Sequence, residues 1–600
     1  MSEVRLLPRD QIDRQFKLDL DELFTSEEAW TAEVSSIDRE ILGLSVYRGK
    51  LSKKASTVFD ALELAFSLKE RESRVFAYAQ FSHLVDTTNQ VGTASYRSAK
   101  SLRVNLKSAL SYIETELLHL DPEMLRTLPQ MEARLAIYQH YIDDLARRRP
   151  YVLPDEVEGI LAKLADPFSG PETIATTLLS SDIPFDDARS FDGQSVSVTS
   201  QTINFLSESP DVHLRRSADN SYIAGLQHFK NTLAETLLTF IKQTAIKSQL
   251  RGHTSSLAAV LFEDNLSRDV FDNVISCAQQ NITLWGRYWS LRSKALGLET
   301  FTPADIWAPL SKDAPQFQYN DGLDIICESL APLGEEYTAT LREGCLQRGW
   351  VDVYPTTGKY PGWMSSDESG GPPYIILHYA NTLLDMSGFT HELGHSMHSY
   401  YASQSQPMVY KSYSMLIAEV PSNLHQALLR AHLMSSGSDR ALRLAIINES
   451  MTFFRRYLLV MPILAKFELE VHNRIENGKG VSGEDLVHLY ADLMVPAYGG
   501  DVVYDKEEVG VEWASFLHLY NPFYTFKYTL GIAASYAIAA RFLDGDPNVA
   551  SDYLRFLQAG SSVYPVEALK LAGVDIADLS LIETAFAAMS GTLDELEDLL

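Results

Sequence analysis

The sequence is poor in cysteine. Its 600 residues include only three, Cys277, Cys327 and Cys345, which lie far apart and show no CxxC spacing. A disulfide framework and a thiolate-ligated zinc site are therefore not expected, because both need paired or clustered cysteines. This scarcity fits a reducing compartment.

Basic charge and long apolar runs are also scarce. The 51 Lys and Arg residues are outnumbered by 79 acidic residues, and the net charge of −28 argues against a nucleic-acid partner. The N-terminus, MSEVRLLPRDQIDRQ, is too charged for the apolar core of a signal peptide. The longest apolar stretch, around Leu530 to Ala540, is too short to span a bilayer. We expect a soluble cytoplasmic protein with an acidic, solvated surface and no membrane partner.

Helical periodicity is the main pattern of the chain. Apolar residues recur at three- and four-residue spacing over 101–120 and 131–147, and long helical patterns run from about Val212 to Leu296. Between these regions, Phe191 to Gln201 alternates like a short hairpin or connector. We predict an N-terminal helical lobe over 1–205 and a second domain over 206–600.

The segment 358–373 is rich in Gly and Pro and predicts an extended, turn-rich stretch. Tyr374 to Tyr379 then reads as a short strand, and a helix is expected to begin between Asn381 and Ser387. A strand in this place is expected to offer an edge for pairing with an extended peptide.

The expected helix carries His391-Glu392-Leu393-Gly394-His395. Two histidines four residues apart lie on one helix face, where both imidazoles can reach a single metal ion. Glu392 lies beside them, where its carboxylate can act on a water molecule. Catalytic zinc sites use three protein ligands and leave a fourth position open, so a third ligand must come from elsewhere.

His398 is one candidate for the third ligand. It follows His391 by about 10.5 Å of helical rise, too far to share one ion easily, so we expect it to contact a ligand or the substrate instead. The three-histidine arrangement of the metzincins would need Gly at position 398 and His at position 401. The chain has His398 and Tyr401, and that alternative fails.

Glu419 is the better candidate. It lies near Pro421 in a second helical pattern that runs to about Leu433. If this helix returned antiparallel to the first, it would bring a carboxylate to the histidine pair. Ser422 and Asn423, about one turn further on, are candidates for orienting the ligands.

A second group of candidate residues follows near the C-terminal end of the chain. Asn521 and Pro522 look like a helix cap and first helical position, which would place Tyr524 and Tyr528 on one face with His518 on the preceding loop. Imidazole and hydroxyl donors of this kind can stabilise an oxyanion. From the residues alone, an aromatic stripe in the core is the favoured interpretation.

Three segments carry a resemblance to a known family. HELGHSMHSYY, AEVPSN around Glu419, and HLYNPFYTFKY resemble the oligoendopeptidase F branch of the thimet oligopeptidase family of zinc metallopeptidases. LSESPD, PYIILHYANTL and YGGDVV are similar too, so the likeness extends over nearly the whole chain in order. Such coverage is far more specific than the five-residue motif alone.

The resemblance implies a fold, an activity and a set of site residues. The fold would be mainly α, a two-lobed helical ellipsoid with a deep central channel for short peptides and a small β element beside the zinc-site helix. The activity would be endopeptidase hydrolysis of internal bonds in short oligopeptides, with the metallopeptidase catalytic domain over 206–600. One Zn2+ per chain would be held by His391, His395 and Glu419, with Glu392 as general base and His518 and the following tyrosines as transition-state stabilisers.

Two positions depart from the family pattern. Pro421 is similar to the thimet-type branch, whereas oligoendopeptidase F usually has a small residue there. The position of the first thimet-type tyrosine is occupied by Phe523, so Tyr524 or Tyr528 would have to take that role. A peptide-binding protein without turnover and a zinc hydrolase of non-peptide amides are the rival functions.

Overall fold

The computed structural model describes residues 7–311, 315–366, 368, 371–437 and 439–600. It is mainly helical, with 72% of residues in helices and 2% in strands, so the predicted mainly α class is confirmed. No helix among the described residues is both long enough and apolar enough to cross a membrane.

The helices follow one another along most of the chain, joined by short connections and several 3-10 or π turns. In chain order they are α1 (Glu27–Ile41), α2 (Ala55–Leu84), α3 (Gln90–Leu118), α4 (Pro122–Met131), α5 (Gln139–Arg148), α6 (Asp155–Phe168), α7 (Gly170–Thr177), α8 (Ile203–Ser207), α9 (Val212–Leu250), α10 (Ser256–Glu263), α11 (Arg268–Gln280), α12 (Thr283–Leu296), α13 (Tyr319–Ser329), α14 (Glu335–Leu346), α15 (Leu383–Ser405), α16 (Met415–Ser435), α17 (Arg440–Phe454), α18 (Met461–Glu476), α19 (Gly483–Met494), α20 (Lys506–Val511), α21 (Thr525–Leu543), α22 (Val549–Ala559), α23 (Pro565–Leu571) and α24 (Ser580–Leu599).

The backbone divides into two compact units. Unit 1 comprises Met1–Pro150, Gln316–His432 and Ile538–Val574, and unit 2 comprises Tyr151–Pro315, Leu433–Ala537 and Asp575–Leu600. Each unit is therefore assembled from three stretches of chain, whereas the predicted lobes of 1–205 and 206–600 are continuous. The division at residue 205 stays a prediction.

The N-terminal part of unit 1 is a helical core. Along α2, buried residues recur at helical spacing at Val58, Leu62, Ala65 and Leu68. This face packs on the apolar face of α3, and both belong to one continuous cluster of buried side chains from α1 to α5. Burial of such a stripe is what stabilises an amphipathic helix in water.

A small sheet lies beside α15 in unit 1, as predicted. Its strands are β3 (Val351–Asp352), β4 (Met364–Ser365) and β5 (Ile375–Ile376), in the spatial order β3-β5-β4. Strand β5 is parallel to β3 and antiparallel to β4.

The expectation that Tyr374 to Tyr379 forms an edge strand is wrong. The strand spans only Ile375–Ile376 and is central, because β3 and β4 occupy its two sides. The strand at the edge of the sheet beside α15 is β4. The continuous apolar character of YIILHY agrees with a central strand that is covered on both faces.

Unit 2 contains the predicted hairpin and long helices. Strands β1 (Ala188–Arg189) and β2 (Ser195–Val196) pair antiparallel, and α9 extends over Val212–Leu250. A π-helical segment, Arg455–Val460, leads directly into α18. The three cysteines of the chain are buried free thiols, and the sequence predicted no disulfide framework.

Candidate metal centre

Helix α15 carries the histidine motif, and a capping box sets its start. The Thr382 hydroxyl accepts a hydrogen bond from the Asp385 N–H, and the Asp385 carboxylate accepts one from the Thr382 N–H. These bonds satisfy donors that a helix leaves unpaired at its N-terminus. The prediction that the helix begins between Asn381 and Ser387 is confirmed.

His391 and His395 lie one turn apart on α15, and both are half-buried. Their Nε2 atoms approach to 3.2 Å, with the ring planes nearly perpendicular. The local geometry of the helix thus directs two nitrogen atoms at one point, as their spacing predicts.

Glu419 reaches this pair because α15 and α16 approach backbone to backbone. A Cβ atom placed on Gly394 would lie 2.4 Å from the Cα and 2.5 Å from the N of Ser422. No side chain fits in that space, so glycine is what allows the two helices to come so close. Glu419 precedes Ser422 by about one helical turn and therefore lies next to the histidines.

The three candidate ligand atoms form a small triangle in unit 1. Oε2 of Glu419 is 3.4 Å from Nε2 of His391 and 4.0 Å from Nε2 of His395. Ligand atoms at about 2.0–2.1 Å from a tetrahedral zinc ion would be separated by about 3.3–3.4 Å. The triangle therefore has nearly the dimensions that one such ion requires, and three protein ligands leave a fourth position open.

Burial distinguishes this group from the other acidic and histidine cluster found among the described residues. Glu484, His488 and Glu507 also bring ligand atoms within 4.8 Å of one another, but all three side chains are exposed. His488 contacts Glu507 at 3.2 Å, an arrangement that a surface ion pair explains.

Gln426 orients the first histidine. Its Nε2 donates hydrogen bonds to the hydroxyl of Ser387 at 2.8 Å and to the Ser387 carbonyl at 3.3 Å. This fixes the amide so that Oε1 faces Nδ1 of His391, 3.1 Å away. Nδ1 must then carry the proton, and the lone pair of Nε2 is directed into the triangle.

Burial favours the neutral form of His395. Burial lowers its pKa to about 4, with a smaller contribution from His391, while the Ala418 carbonyl accepts a hydrogen bond from the ring. Two imidazole nitrogens and a carboxylate oxygen that converge on one point are the kind of ligands that zinc accepts. The chemistry of the donor set therefore fits a bound metal ion.

Glu392 lies beside the triangle on the side of the β4 strand. Burial raises the pKa of its carboxyl, and Glu419 raises it further, whereas His391 and a hydrogen bond from the Ser365 N–H act in the opposite direction. The Ser365 hydroxyl also contacts the Ser396 hydroxyl at 2.8 Å, which ties β4 to α15. The edge strand thus orients the glutamate that the motif predicts as the base.

The second helix behaves largely as predicted. Helix α16 continues through Pro421 and ends at Ser435, close to the expected Leu433. Ser422 donates to the main-chain carbonyl of Glu419 at 3.0 Å and lies 3.5 Å from Glu419 Oε2. Asn423 is buried, and its amide nitrogen has no hydrogen-bond partner among the described residues, so a role in orienting the ligands stays a prediction.

The expectation that His398 contacts a ligand or the substrate is wrong. His398 is fully buried, with its ring stacked 3.6 Å from that of Tyr413 and 5.2 Å from that of Phe556. Neither ring nitrogen has a partner among the described residues, and burial lowers the pKa to about 3. His398 is a neutral aromatic residue of the core.

The predicted His and Tyr group lies in unit 2. His518 is in a 3-10 turn, Leu517–Tyr520, and its ring centroid is 5.9 Å from that of Tyr528, which is in turn 5.0 Å from that of Tyr524. All three side chains are half-buried. Tyr528 also stacks on Tyr457 at 5.5 Å, so this residue has one face in the core.

The helix after His518 begins later than predicted. Asn521 and Pro522 were expected to be the cap and first position, but α21 starts at Thr525. Phe523 interrupts the helix because its φ of 48° is left-handed. Tyr524 consequently precedes the helix, although its ring still contacts that of Tyr528.

Two residues of the site escaped sequence reasoning. Gln426 follows Glu419 by two helical turns on the same face of α16, and this spacing is a signal that could have identified it. Ser365 acts through its backbone N–H, for which no residue type provides a signal.

The comparisons with known proteins agree with this site. Residues 205–588 match the description Peptidase family M3, and residues 116–185 match Oligopeptidase F. The first match covers more than half of the chain, and the chain therefore belongs to peptidase family M3. It is accordingly a metallopeptidase.

Within this family the chain is similar to oligopeptidases F. It is 33% identical to oligopeptidase PepF of Bacillus subtilis (strain 168), over 99% of this chain and 89% of the relative. The crystal structure of oligoendopeptidase-F from Enterococcus faecium is 27% identical, with a TM-score of 0.73 and coverage of 96% of this chain and 99% of that one. A Chlamydophila abortus protein of proposed peptidase activity is 28% identical, with a TM-score of 0.90 over 99% and 100% of the two chains.

Proposed function

We propose that this chain is a zinc-dependent endopeptidase that hydrolyses internal bonds of short oligopeptides, with Glu392 as general base. One observation carries the proposal. The ligand atoms of His391, His395 and Glu419 lie within 4.8 Å of one another, directly beside Glu392, in a member of peptidase family M3.

Zinc is the ion that this donor set favours, with one ion per chain. Two imidazole nitrogens and one carboxylate oxygen with an open fourth position are typical of catalytic zinc, whereas calcium and magnesium prefer oxygen ligands. When bound, zinc supplies Lewis-acid polarisation of the scissile carbonyl and lowers the pKa of water to about 7.

Glu392 handles the proton in this scheme. Its carboxylate takes a proton from the attacking water and later delivers it to the nitrogen of the leaving amine. The hydrogen bond from the Ser365 N–H supports this assignment, because it restrains the carboxylate on the side of α15 that faces β4.

The oxyanion that develops during attack is assigned to His518 together with Tyr524 or Tyr528. Burial lowers the pKa of His518 to about 4, so the imidazole is neutral and can donate one N–H. Its Nδ1 has no partner among the described residues. A neutral imidazole and a phenolic hydroxyl are suitable donors to a developing negative charge.

The edge strand β4 suggests how a peptide is held. An extended substrate can add to a sheet edge through main-chain hydrogen bonds, which select for a peptide backbone more than for its side chains. A preference for short peptides rests on the resemblance and on the relatives, whose names describe oligopeptidases. A cytoplasmic location and the lack of a nucleic-acid partner stay predictions of the composition.

The proposal is tested by incubating the purified protein with a mixture of short peptides and identifying the products by mass spectrometry. Internal cleavage is expected, with loss of activity in a chelator and recovery on addition of zinc. Products that lack only terminal residues would contradict an endopeptidase. Cleavage that persists in the metal-free protein would contradict the metal site, and uncleaved peptides would favour the binding protein.

Glu392→Gln separates the base from the metal. Bound zinc should remain at one equivalent while kcat falls by about 10²–10⁴-fold, the usual contribution of a general base. Glu299→Gln, at an exposed position, is the matched control and should retain activity. Wild-type turnover by Glu392→Gln would remove this residue from the mechanism.

A further inference from the structure

The turn that joins His518 to α21 contains a strained residue. Phe523 has a φ of 48° and a fully buried side chain. A left-handed conformation is unfavourable for a residue with a Cβ atom. Such a conformation persists only where surrounding contacts hold it in place.

Glu468 of α18 provides the main polar contact. Its Oε1 accepts a hydrogen bond from the Phe523 N–H at 2.7 Å, and the glutamate is only 1% exposed. Without this acceptor the Phe523 N–H would be a buried, unpaired donor, which is unfavourable.

Helix α18 also holds the Phe523 ring. His472, one turn after Glu468, packs against it with the ring centroids 4.7 Å apart. Phe271 of α11 contacts the same ring edge-on at 5.9 Å. Backbone and side chain of Phe523 are therefore both fixed from neighbouring helices in unit 2.

The turn transmits this restraint to the candidate oxyanion donors. The Asn521 N–H donates to the His518 carbonyl at 3.0 Å, and the Tyr524 N–H donates to the Asn521 carbonyl at 3.2 Å. Phe523 lies inside the second of these turns, next to Tyr524. A change in its φ would therefore rotate the chain that carries both side chains.

We infer that Glu468 is a positioning residue for the transition-state-stabilising group, holding the turn 521–524 so that His518 and Tyr524 keep their places. The inference rests on the proposed function, because it requires those side chains to act in the reaction. Glu468 itself is buried and has no role at the reacting atoms.

Packing alone does not explain a glutamate at this position. Its second oxygen, Oε2, has no partner among the described residues, and burial raises the pKa of the carboxyl to about 8. Burying a polar group that is only partly paired costs free energy relative to an apolar side chain. What the glutamate supplies in return is the acceptor for Phe523.

The test compares two replacements of similar length. Glu468→Gln keeps a carbonyl acceptor and should retain kcat within about 3-fold, whereas Glu468→Met removes the acceptor and should lower kcat by about 10²-fold, as a small misplacement of catalytic groups does. KM and zinc content should be unchanged. Glu449→Leu, which removes another buried glutamate of unit 2, is the control and should retain kcat.

A double-mutant cycle with His518→Ala distinguishes positioning from general destabilisation. If Glu468 acts through the donors, Glu468→Met combined with His518→Ala should be hardly slower than His518→Ala alone, since residues of one functional unit are not additive. Fully multiplicative losses would overturn the inference. Wild-type kcat in Glu468→Met would overturn it too.

The same variants distinguish a failure of the proposed oxyanion donors from a failure of the positioning role of Glu468. If His518→Ala and the two Tyr→Phe variants are all fully active, the proposed oxyanion donors are wrong, and the positioning role falls with them. If His518→Ala is slow while Glu468→Met is not, the positioning inference alone fails. If Glu468→Met and Glu468→Leu both fail to fold while Glu468→Gln is active, the role of Glu468 is structural.

Discussion

Gly394 of α15 and Ser422 of α16 are in direct backbone contact. A Cβ atom on Gly394 would lie only 2.4 Å from the Cα of Ser422, well inside van der Waals contact. This single approach brings Glu419 within 3.4 Å of the His391 Nε2 atom. Gly394, the fourth residue of the motif, therefore allows the two helices to approach, whereas the two histidines supply ligand atoms.

Gly394→Ala should therefore damage the metal site without touching a ligand. The added methyl group must push α16 away, and Glu419 moves with it. We expect a loss of zinc affinity of at least about 10-fold and a lower Tm, because overpacking typically costs about 1–3 kcal/mol. Zinc titration against a chromophoric chelator and thermal unfolding would measure the two effects.

The control is a helical glycine with open space around it. Among the described residues, no atom outside the helix lies within 4 Å of a Cβ built on Gly159 of α6. Gly159→Ala should leave zinc binding unchanged and stabilise the helix by about 0.5–1 kcal/mol. Equal zinc affinity in both variants would contradict the role of the helix contact.

Gln426→Leu should weaken zinc binding through His391. The leucine removes the acceptor that holds the Nδ1 proton and leaves the ring free to rotate or change tautomer. Removing such an outer partner typically costs about 10–100-fold in metal affinity. The measurement is again competition with a chelator, at constant pH.

Gln426→Glu should be compared with Gln426→Leu. A carboxylate keeps the acceptor for His391 but loses the amide donor to Ser387. We expect it to bind zinc more tightly than Gln426→Leu. If both variants bind zinc as the wild type does, Gln426 has no part in orienting the ligand.

Tyr524→Phe and Tyr528→Phe decide which hydroxyl acts on the oxyanion. Loss of one such donor typically lowers kcat by about 10²–10³-fold with little change in KM. Because the rings are in contact and Tyr528 also stacks on Tyr457, each phenylalanine keeps the packing. The variant with the larger loss identifies the donor, and two wild-type rates would exclude both.

His398 should make the protein less stable in mild acid. The unfolded histidine takes up a proton below pH 6.5, whereas the folded one does so only below about pH 3. Between these values the unfolded chain binds more protons, so stability falls as the pH falls. The loss is about 1.4 kcal/mol for each pH unit below 6.5.

His398→Phe should remove this dependence while keeping the stack on Tyr413. The difference in Tm between the variant and the wild type should shift in favour of the variant as the pH is lowered from 7.5 to about 5. His119→Phe changes an exposed histidine and should not show this trend. Parallel pH profiles for His398→Phe and the wild type would contradict the prediction.

Local patterns explain why part of the site could be predicted. Spacing on one helix determines that His391 and His395 face the same point, and the capping box of Thr382 and Asp385 acts within a single turn. Glu419 could be predicted as the third ligand because a second helical pattern follows the histidine motif closely in the sequence. These features depend on neighbours in sequence, where residue type and helix geometry are sufficient.

Long-range contacts explain where sequence reasoning failed. YIILHY predicts a strand, but only the pairing with β3 and β4 makes it central. His398 follows the helical period of the metal ligands, yet the rings of Tyr413 and Phe556 enclose it in the core. Residue type does not reveal which side chains will surround a position.

The sequence by itself determined the fold class, the metal-binding motif and the family, because each is encoded in residues close together or in the order of segments along the chain. Tertiary structure alone decided the partner of His391, the strand that contacts Glu392 and the left-handed turn held by Glu468. The physical reason is distance along the chain. A hydrogen bond between residues 35 or 55 positions apart exists only after helices have packed.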